Sequence, residues 1–311
     1  MKQTHAPRLD WLDQARGIAL LAMTCYHFTW DLFSLGLTDL NPVSTIWLAW
    51  SAKGIAATFL LLSGLSLALA HQSHILWRKV LVRSLTLGGA ASLVSLGSYF
   101  LFPASWIAFG ILHHMALAGV VGLLFLRLPP FALIGFALLC LLLPDFAKHD
   151  VFNSAPWLFL GLSTIIAPAN DYVPLLPWFG FVLLGMALPK LWPVLQHHSP
   201  APQPSRPLRL IGWMGRHSLI YYLIHQPVLL GLLNLLIAVG VLMPAATTRA
   251  HFTQACERDC SFDQGDEALC RRICQCIYEE VQKTPNLLST APADMTADQE
   301  QKLRSAIKQC R

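Results

Sequence analysis

Residues 13–31, DQARGIALLAMTCYHFTWD, predict the character of the whole chain. The middle of this stretch is apolar enough to cross a bilayer, yet Arg16 and His27 lie between its two terminal aspartates. At about 100° per residue, both aspartates fall at the same angle on a helix, with Arg16 and His27 within about 60° of them. A charge at the centre of a membrane helix costs about 2.5–3.5 kcal/mol. We therefore expect this stripe to face a polar cavity and to contain the active centre.

Composition indicates a polytopic membrane protein. Of the 311 residues, 55% are hydrophobic and only 13% are charged, and the mean hydropathy is +0.51. A soluble domain does not need this much apolar surface. We predict an all-α membrane protein with about seven transmembrane helices, an eighth being left open, and a small disulfide-linked helical tail at the C-terminus.

Seven apolar stretches are long enough to be the predicted spans, namely residues 14–35, 44–70, 79–102, 106–126, 130–146, 172–191 and 217–243. The apolar piece at 156–167 is short for a crossing, so a re-entrant or interfacial segment is favoured there. The 192–216 loop contains Pro200, Pro202, Pro204 and Pro207, and we expect a cytoplasmic linker without a packed core.

The uneven distribution of acidic residues marks a domain boundary. Residues 1–250 contain seven acidic side chains, all of them Asp, whereas the last 61 residues contain the other ten. We predict a membrane domain at 1–245 and a cysteine-rich helical tail at 246–311.

Loop charges predict the orientation of the chain. With the N-terminus in the cytoplasm, eleven cationic residues lie on the inner side and one, Lys148, lies in the short outer loops. The positive-inside rule favours this arrangement, and seven crossings then place the C-terminal tail outside. The eleven inner cations are Lys2, Arg8, Arg16, Arg78, Lys79, Arg83, Arg127, Lys190, Arg206, Arg209 and Arg216.

Cysteine usage agrees with an outside tail. Six of the eight cysteines lie in the last 61 residues, at Cys256, Cys260, Cys270, Cys274, Cys276 and Cys310. A segment this small builds little hydrophobic core, so cross-links would supply its stability. Disulfides require an oxidising compartment, which an extracytoplasmic tail occupies. A zinc site is the alternative interpretation of the same cysteines.

Helix geometry suggests a pairing, although six cysteines allow many connectivities. Each of the two C-x3-C pairs places its thiols on one face of a helix, so an antiparallel helical hairpin turning around Gly265 would bring the pairs together. The predicted bonds are Cys256 to Cys274, Cys260 to Cys270 and Cys276 to Cys310.

Histidines recur at membrane depth, at His27, His113, His114 and His225. A single such histidine is often only a hydrogen-bonding group, but several on different spans favour a shared polar cavity. Imidazole accepts and returns protons near neutral pH, as acyl transfer requires. Asp31, one turn beyond His27, either orients this imidazole or lies in water at the outer interface; the sequence leaves both open.

Three cations follow the second span at Arg78, Lys79 and Arg83. One interpretation is anchoring at the cytoplasmic face of the membrane. The other is that they hold the phosphates of a nucleotide-like donor.

Several segments together resemble membrane acyltransferases. The spacing of Arg16 and His27 resembles the Arg-x10-His of acyltransferase family 3, and FLLLSG at 59–64 is similar to the Phe-x3-Ser-Gly element of that family. Further motifs resemble the bacterial relatives of heparan-α-glucosaminide N-acetyltransferase, a branch of the transmembrane acyltransferases. The segments that carry the resemblance, over about residues 8–240, are LDWLD at 9–13, RGIA at 16–19, YHF at 26–28, FGILH at 109–113, DYVPLLPW at 171–178 and GRHSLIYYLIHQP at 215–227.

This resemblance implies a bacterial inner-membrane enzyme that transfers an acetyl group from cytoplasmic acetyl-CoA to an extracytoplasmic sugar or glycan. By position, His27 matches the catalytic histidine of the family, acting as base or acyl carrier, and Arg16 matches its partner arginine. Our candidate catalytic residues are His27, Asp31, Arg16, His113 and His225. Our candidate phosphate-binding residues are Arg16, Arg78, Lys79 and Arg83.

Besides the lipid bilayer and the carbohydrate acceptor, we expect no nucleic acid and no metal. A protein partner for the tail and a homo-oligomer are left open. The alternative function is a proton-coupled transporter or permease that uses the intramembrane His and Asp stripe.

Overall fold

The computed structural model describes residues 9–38, 40–42, 45–72, 74–101, 103–165, 171–193, 205–242, 252–253, 256–257, 260, 266–284 and 296–310. Within these residues the secondary structure is helical, and no strand is present. The α-helices are α1 (Asp10–Ser34), α2 (Ile46–Ala70), α3 (Trp77–Leu101), α4 (Ile111–Val121), α5 (Pro130–Ala147), α6 (Leu175–Leu191), α7 (Arg206–Arg216), α8 (Ser218–Ala238), α9 (Glu267–Gln282) and α10 (Ala297–Cys310).

The predicted all-helical membrane class is confirmed for the part of the chain that the structure describes. Four of its helices, α2, α3, α5 and α8, are long and apolar enough to cross a membrane. Two shorter apolar helices are α6 and Ile111–Phe125, which is α4 with a following 3-10 turn. Helix α1 has 25 residues but carries the ionisable stripe. The predicted number of seven crossings stays a prediction.

The predicted linker at 192–216 is partly wrong, because its second half forms α7 and packs on α1. A Cβ atom on Gly215 would lie 1.7 Å from the backbone oxygen of Asp13, and one on Gly17 would lie 2.1 Å from that of Ile211. The two backbones therefore touch, which only glycine permits. Pro207 is compatible with this helix because it occupies the first turn, where its missing N–H has no helical partner. Residues 194–204 lie outside the described residues.

The described part of the predicted re-entrant or interfacial piece, residues 156–165, consists of a 3-10 helix and a loop. Two 3-10 helices, Asp150–Asn153 and Ala155–Leu160, are followed by a loop that returns to the first of them. Thr164 Oγ1 donates to Asp150 Oδ1 at 2.5 Å, and Asn153 Nδ2 donates to the same carboxylate at 3.2 Å. These two hydrogen bonds hold the pKa of Asp150 below its usual value. Whether the segment enters the membrane stays a prediction.

Contacts divide the chain into two compact units, of which the first comprises Met1–Met23 and Ala52–Ile224. Helix α6 packs closely on α2 there. A Cβ atom on Gly64 would lie 2.0 Å from the backbone oxygen of Val182, and one on Gly185 would lie 2.0 Å from that of Leu61. The largest fully buried side chains of the accompanying core include Leu60, Leu133, Val182, Leu183 and Met186.

The second unit comprises Thr24–Ser51 and His225–Arg311. In its tail, α9 and α10 bury a small apolar cluster around Ile277, Val281 and Ala306. Three disulfides supplement this cluster, with Cα–Cα distances of 5.6–5.7 Å. They join Cys256 to Cys274, Cys260 to Cys270 and Cys276 to Cys310.

These are the predicted pairs. The alternative interpretation, a zinc site, does not agree with the structure, because sulfurs joined in disulfides are not thiolate ligands. Two other predictions about the tail, the turn at Gly265 and the domain boundary near residue 245, lie outside the described residues. The division into 1–245 and 246–311 stays a prediction.

Candidate functional site

Two histidines from the predicted stripe and from α8 lie together in the second unit. The ring centroids of His27 and His225 are 5.1 Å apart, with the rings inclined at 62°. His225 is buried, with 8% of its surface exposed, and His27 is half-buried. The imidazole of His27 forms no hydrogen bond with any residue that the structure describes. Its nitrogens are therefore available to a substrate.

Asp31 follows His27 by one turn on the same face of α1, and its carboxylate is 1% exposed. Gln226, the neighbour of His225 on α8, donates from Nε2 to Asp31 Oδ1 at 2.6 Å. Two buried acceptor atoms beside this bond, Asp31 Oδ2 and Gln226 Oε1, have no hydrogen-bond partner among the described residues. Burying an acceptor without a donor costs about 1–3 kcal/mol. Both atoms are therefore suited to receive donors from a ligand.

Neither interpretation of Asp31 from the sequence describes its surroundings fully. The carboxylate is buried rather than at a water-exposed interface, and its hydrogen bond runs to Gln226 rather than to His27. Gln226 was not among the predicted site residues, although it belongs to the GRHSLIYYLIHQP segment that carries the resemblance.

A second polar site, a cation-lined cavity of about 300 Å³, lies in the first unit. Arg16 of α1 and Arg83 of α3 both line it, and no lining residue is acidic. The lining residues are Arg16, Phe59, Leu62, Ser63, Arg83, Thr86, Leu87, Met115, Ser218 and Leu219. We refer to it below as the arginine cavity.

Hydrogen bonds to serine hydroxyls of α2 hold the two guanidinium groups in place. Arg83 Nη2 donates to Ser63 Oγ at 3.0 Å, and Arg16 Nη2 donates to Ser66 Oγ at 2.5 Å. Arg16 Nη1 also forms an ion pair with Asp13 at 3.0 Å. Asp13 balances one of the two positive charges, so the cavity retains a positive charge and several donors. This combination suits a phosphate group.

The structure separates the four predicted phosphate-binding cations into two pairs. Arg16 and Arg83 share the arginine cavity. Arg78 and Lys79, at the beginning of α3, are exposed and do not line it. Spacing along α3 explains the difference, because Arg78 lies about 140° around the helix from Arg83, and Lys79, although on the same face as Arg83, lies one turn nearer the beginning of the helix.

His113, also in the first unit, is bonded at both ring nitrogens. The backbone N–H of Gly110 donates to its Nδ1 at 3.2 Å, and its Nε2 lies 3.2 Å from Ser95 Oγ. Because Ser95 Oγ donates its own proton to the backbone oxygen of Ile107 at 2.6 Å, Nε2–H must be the donor to Ser95. His113 thus fixes the beginning of α4, and its predicted catalytic role stays a prediction.

Asp171 is a further polar residue of the first unit that the sequence analysis did not place in the site. Its Oδ2 accepts from the backbone N–H of Ile111 at 3.0 Å and from the hydroxyl of Tyr222 at 3.4 Å. A Cβ atom on Gly110 would lie 2.4 Å from this oxygen, so glycine is needed there. A carboxylate is also favoured at the N-terminus of α4 by the helix dipole. Asp171 and Tyr222 both belong to segments that carry the resemblance.

Comparison with known families shows which family the chain belongs to. The family model described as heparan-alpha-glucosaminide N-acetyltransferase, catalytic, matches residues 8–227. The chain belongs to this family. No curated protein and no solved structure matches it significantly. The resemblance to relatives of heparan-alpha-glucosaminide N-acetyltransferase is thereby confirmed, and it implies a membrane enzyme with acetyltransferase activity at the general level.

The heparan-alpha-glucosaminide N-acetyltransferase match covers both polar sites. Its residues include the arginine cavity, the histidine pair and the Asp31–Gln226 bond, and they end before the disulfide-linked tail. Among the residues that the structure describes, no cluster of three or more His, Cys, Asp or Glu side chains is arranged to hold a metal ion.

Proposed function

We propose that the chain transfers an acetyl group from cytoplasmic acetyl-CoA to a hydroxyl or amino group of an extracytoplasmic sugar or glycan. The family match is the observation that carries this proposal, because it extends over both polar sites. In this proposal the protein lies in a bacterial inner membrane, with its N-terminus in the cytoplasm and its disulfide-linked tail outside.

The arginine cavity supports the donor half of the proposal. Acetyl-CoA carries phosphates, and the guanidinium groups of Arg16 and Arg83 present N–H donors that match phosphate oxygens. Ser63 and Ser66 orient these groups before the donor arrives. Such preorganisation reduces the entropy that binding must overcome.

His27 supports the chemical step. As the acceptor oxygen or nitrogen forms a bond to the acetyl carbon, His27 takes the proton that the acceptor loses. The C–S bond of the thioester breaks, and the departing sulfur of CoA receives a proton. In the two-step variant, His27 first attacks the thioester carbonyl and carries the acetyl group as an acyl-imidazole, which the acceptor then attacks. Both variants require a His27 nitrogen that is not already hydrogen-bonded, and the imidazole has no hydrogen bond to a described residue.

Asp31 and Gln226 support recognition of the acceptor. Asp31 Oδ2 and Gln226 Oε1 are buried acceptor atoms without donors among the described residues. Sugars present adjacent O–H or N–H donors, and two such groups on one ring would satisfy both atoms. An acceptor lacking these donors would leave buried polar atoms unpaired, which produces strong discrimination.

Binding of acetyl-CoA tests the donor half independently of the acceptor. We expect acetyl-CoA, added to the purified protein in lipid nanodiscs, to raise the thermal unfolding midpoint. Dephosphorylated pantetheine carrying the same acetyl thioester is the matched control and should have little effect, because it lacks the phosphates. Equal stabilisation by both compounds would contradict the assignment of the arginine cavity. Proton-coupled solute flux in liposomes without acetyl transfer would instead support the transporter.

A further inference from the structure

Helix α7 presents an arginine-rich face that the proposed acetyl transfer does not use. Arg206, Arg209 and Arg216 are exposed, and the ring of Trp213 among them is 53% exposed. At about 100° per residue the three arginines fall within about 80° of one another, with Trp213 between Arg206 and Arg209. We refer to these four residues as the α7 outer face.

Among the residues that the structure describes, no acidic side chain neutralises the α7 outer face. None of its three arginines forms an ion pair with a residue that the structure describes. The sequence from 172 to 256 contains no Asp and no Glu, so the segments on both sides of α7 also lack carboxylates. Three guanidinium groups therefore remain for an external anion.

The opposite side of α7 is fixed. Gly215 lies about 100° or more around the helix from each of the three arginines. It is buried, and its backbone lies against that of Asp13 in the first turn of α1. Because a rotation of α7 would break this close backbone contact, the contact fixes which face of the helix is exposed in the structure. The outer face is thus preformed, which lowers the entropy cost of binding.

We propose that the α7 outer face binds anionic phospholipid headgroups at the membrane surface. Arginine forks match phosphate oxygens, and tryptophan favours the depth of the headgroups, so the two residue types together suit a lipid rather than a soluble anion. Basic amphipathic helices lie in this interface in other membrane proteins. The positive charge of the α7 outer face favours anionic headgroups over zwitterionic ones, because zwitterionic headgroups carry no net negative charge. This proposal does not depend on acetyl transfer.

The test measures lipid binding to the full-length protein. The purified protein in detergent is titrated with phosphatidylglycerol and, separately, with phosphatidylcholine, and bound lipids are counted by native mass spectrometry. The test variant is R206Q/R209Q/R216Q. The matched control R271Q/R272Q/K308Q removes the same charge from exposed positions of α9 and α10. A third variant, R206K/R209K/R216K, keeps the charge at α7.

We expect phosphatidylglycerol to bind more tightly than phosphatidylcholine to the unaltered protein. Attraction to an anionic surface corresponds to about a fivefold change in affinity per basic residue, so the test variant should weaken phosphatidylglycerol binding by at least about tenfold. The control should remain within about threefold of the unaltered protein, with unchanged thermal unfolding. The lysine variant keeps the charge without the arginine fork, so it should bind phosphatidylglycerol more tightly than the glutamine variant and less tightly than the unaltered protein. Equal binding of both lipids, or an unaltered affinity in the test variant, would overturn the proposal. Displacement of the lipid by millimolar inorganic phosphate would also overturn it, because a soluble anion would then suffice.

Discussion

Gln226 donates a hydrogen bond of 2.6 Å to the carboxylate of Asp31, joining residues that are 195 positions apart. The bond fixes one oxygen of a buried aspartate and leaves the other oxygen available. It lies beside the pair of His27 and His225, because Gln226 directly follows His225 in sequence and Asp31 lies one helical turn beyond His27. We infer that a neutral amide was needed at this position, since a second carboxylate would repel the first.

Replacement of Gln226 by leucine should destabilise the protein and impair acetyl transfer. The substitution removes the donor to a buried carboxylate, which costs about 1–3 kcal/mol in free energy of unfolding. Denaturant unfolding in detergent micelles measures this loss. The control is Gln282→Leu at an exposed position of α9, where we expect a change of less than about 0.5 kcal/mol. Equal stability of the two variants would show that the Asp31–Gln226 bond contributes little.

Arg83→Gln should weaken acetyl-CoA binding, because it removes a charged donor from the arginine cavity. Hydrogen bonds to charged groups contribute about 1.5–3 kcal/mol, so we expect the Kd to rise about tenfold or more. Arg78→Gln is the matched control, since this exposed arginine lies on the same helix outside the cavity. Isothermal titration with acetyl-CoA distinguishes the two variants. If Arg78→Gln raised the Kd for acetyl-CoA more than Arg83→Gln did, the phosphates would instead bind at the beginning of α3.

Gly215→Ala should displace α7 from α1, because the new Cβ atom would lie 1.7 Å from the backbone oxygen of Asp13. Overpacking of this kind costs about 1–3 kcal/mol, and more where backbone must move. Thermal unfolding of purified protein measures the effect. Gly88→Ala in α3 introduces the same methyl group where nothing lies within 4 Å, so it should be neutral or slightly stabilising. Loss of stability in the Gly88 variant alone would contradict the described packing.

Non-reducing peptide mapping should recover the three disulfides of the tail. We expect peptides linking Cys256 to Cys274, Cys260 to Cys270 and Cys276 to Cys310. Reduction should then make the tail sensitive to protease, since each bond typically contributes about 2–4 kcal/mol. Digestion of reduced and oxidised protein side by side provides the comparison. Free thiols at these six positions in protein isolated without reductant would contradict the pairing.

Much of the architecture could be predicted from local pattern. Long apolar runs predicted the membrane class, and helix spacing of the cysteines predicted the pairing in the tail. The failure at α7 has a local cause, since its prolines were interpreted as a linker although Pro207 fits the first turn of a helix. The pattern RPLRLIGWMGR places Gly215 about 100° or more around the helix from each of its three arginines, which is the amphipathic signal of a helix packed on one side.

The candidate site could be predicted only in part. His27 and Arg16 stood out because ionisable residues are costly in a membrane helix. Gln226 and Ser66 did not, because neutral polar residues are common there and their roles depend on which helix faces them. The sequence also did not show that Arg83 lines the cavity whereas Arg78 does not, because that difference depends on the packing of α3. These contacts depend on which faces of the helices pack together, and a single sequence does not reveal that packing.

The role of His27 is the central claim, and acetyl transfer by the purified protein tests it most directly. The protein in nanodiscs is supplied with radiolabelled acetyl-CoA and a panel of hydroxyl- and amine-bearing saccharides, and labelled saccharide is measured over time. Removal of a general base or covalent carrier lowers rates by about 10²–10⁴, so we predict at least about a hundredfold loss in His27→Ala. His149→Ala, at an exposed loop position, should transfer at the unaltered rate. Equal transfer by His27→Ala and the unaltered protein would contradict the account.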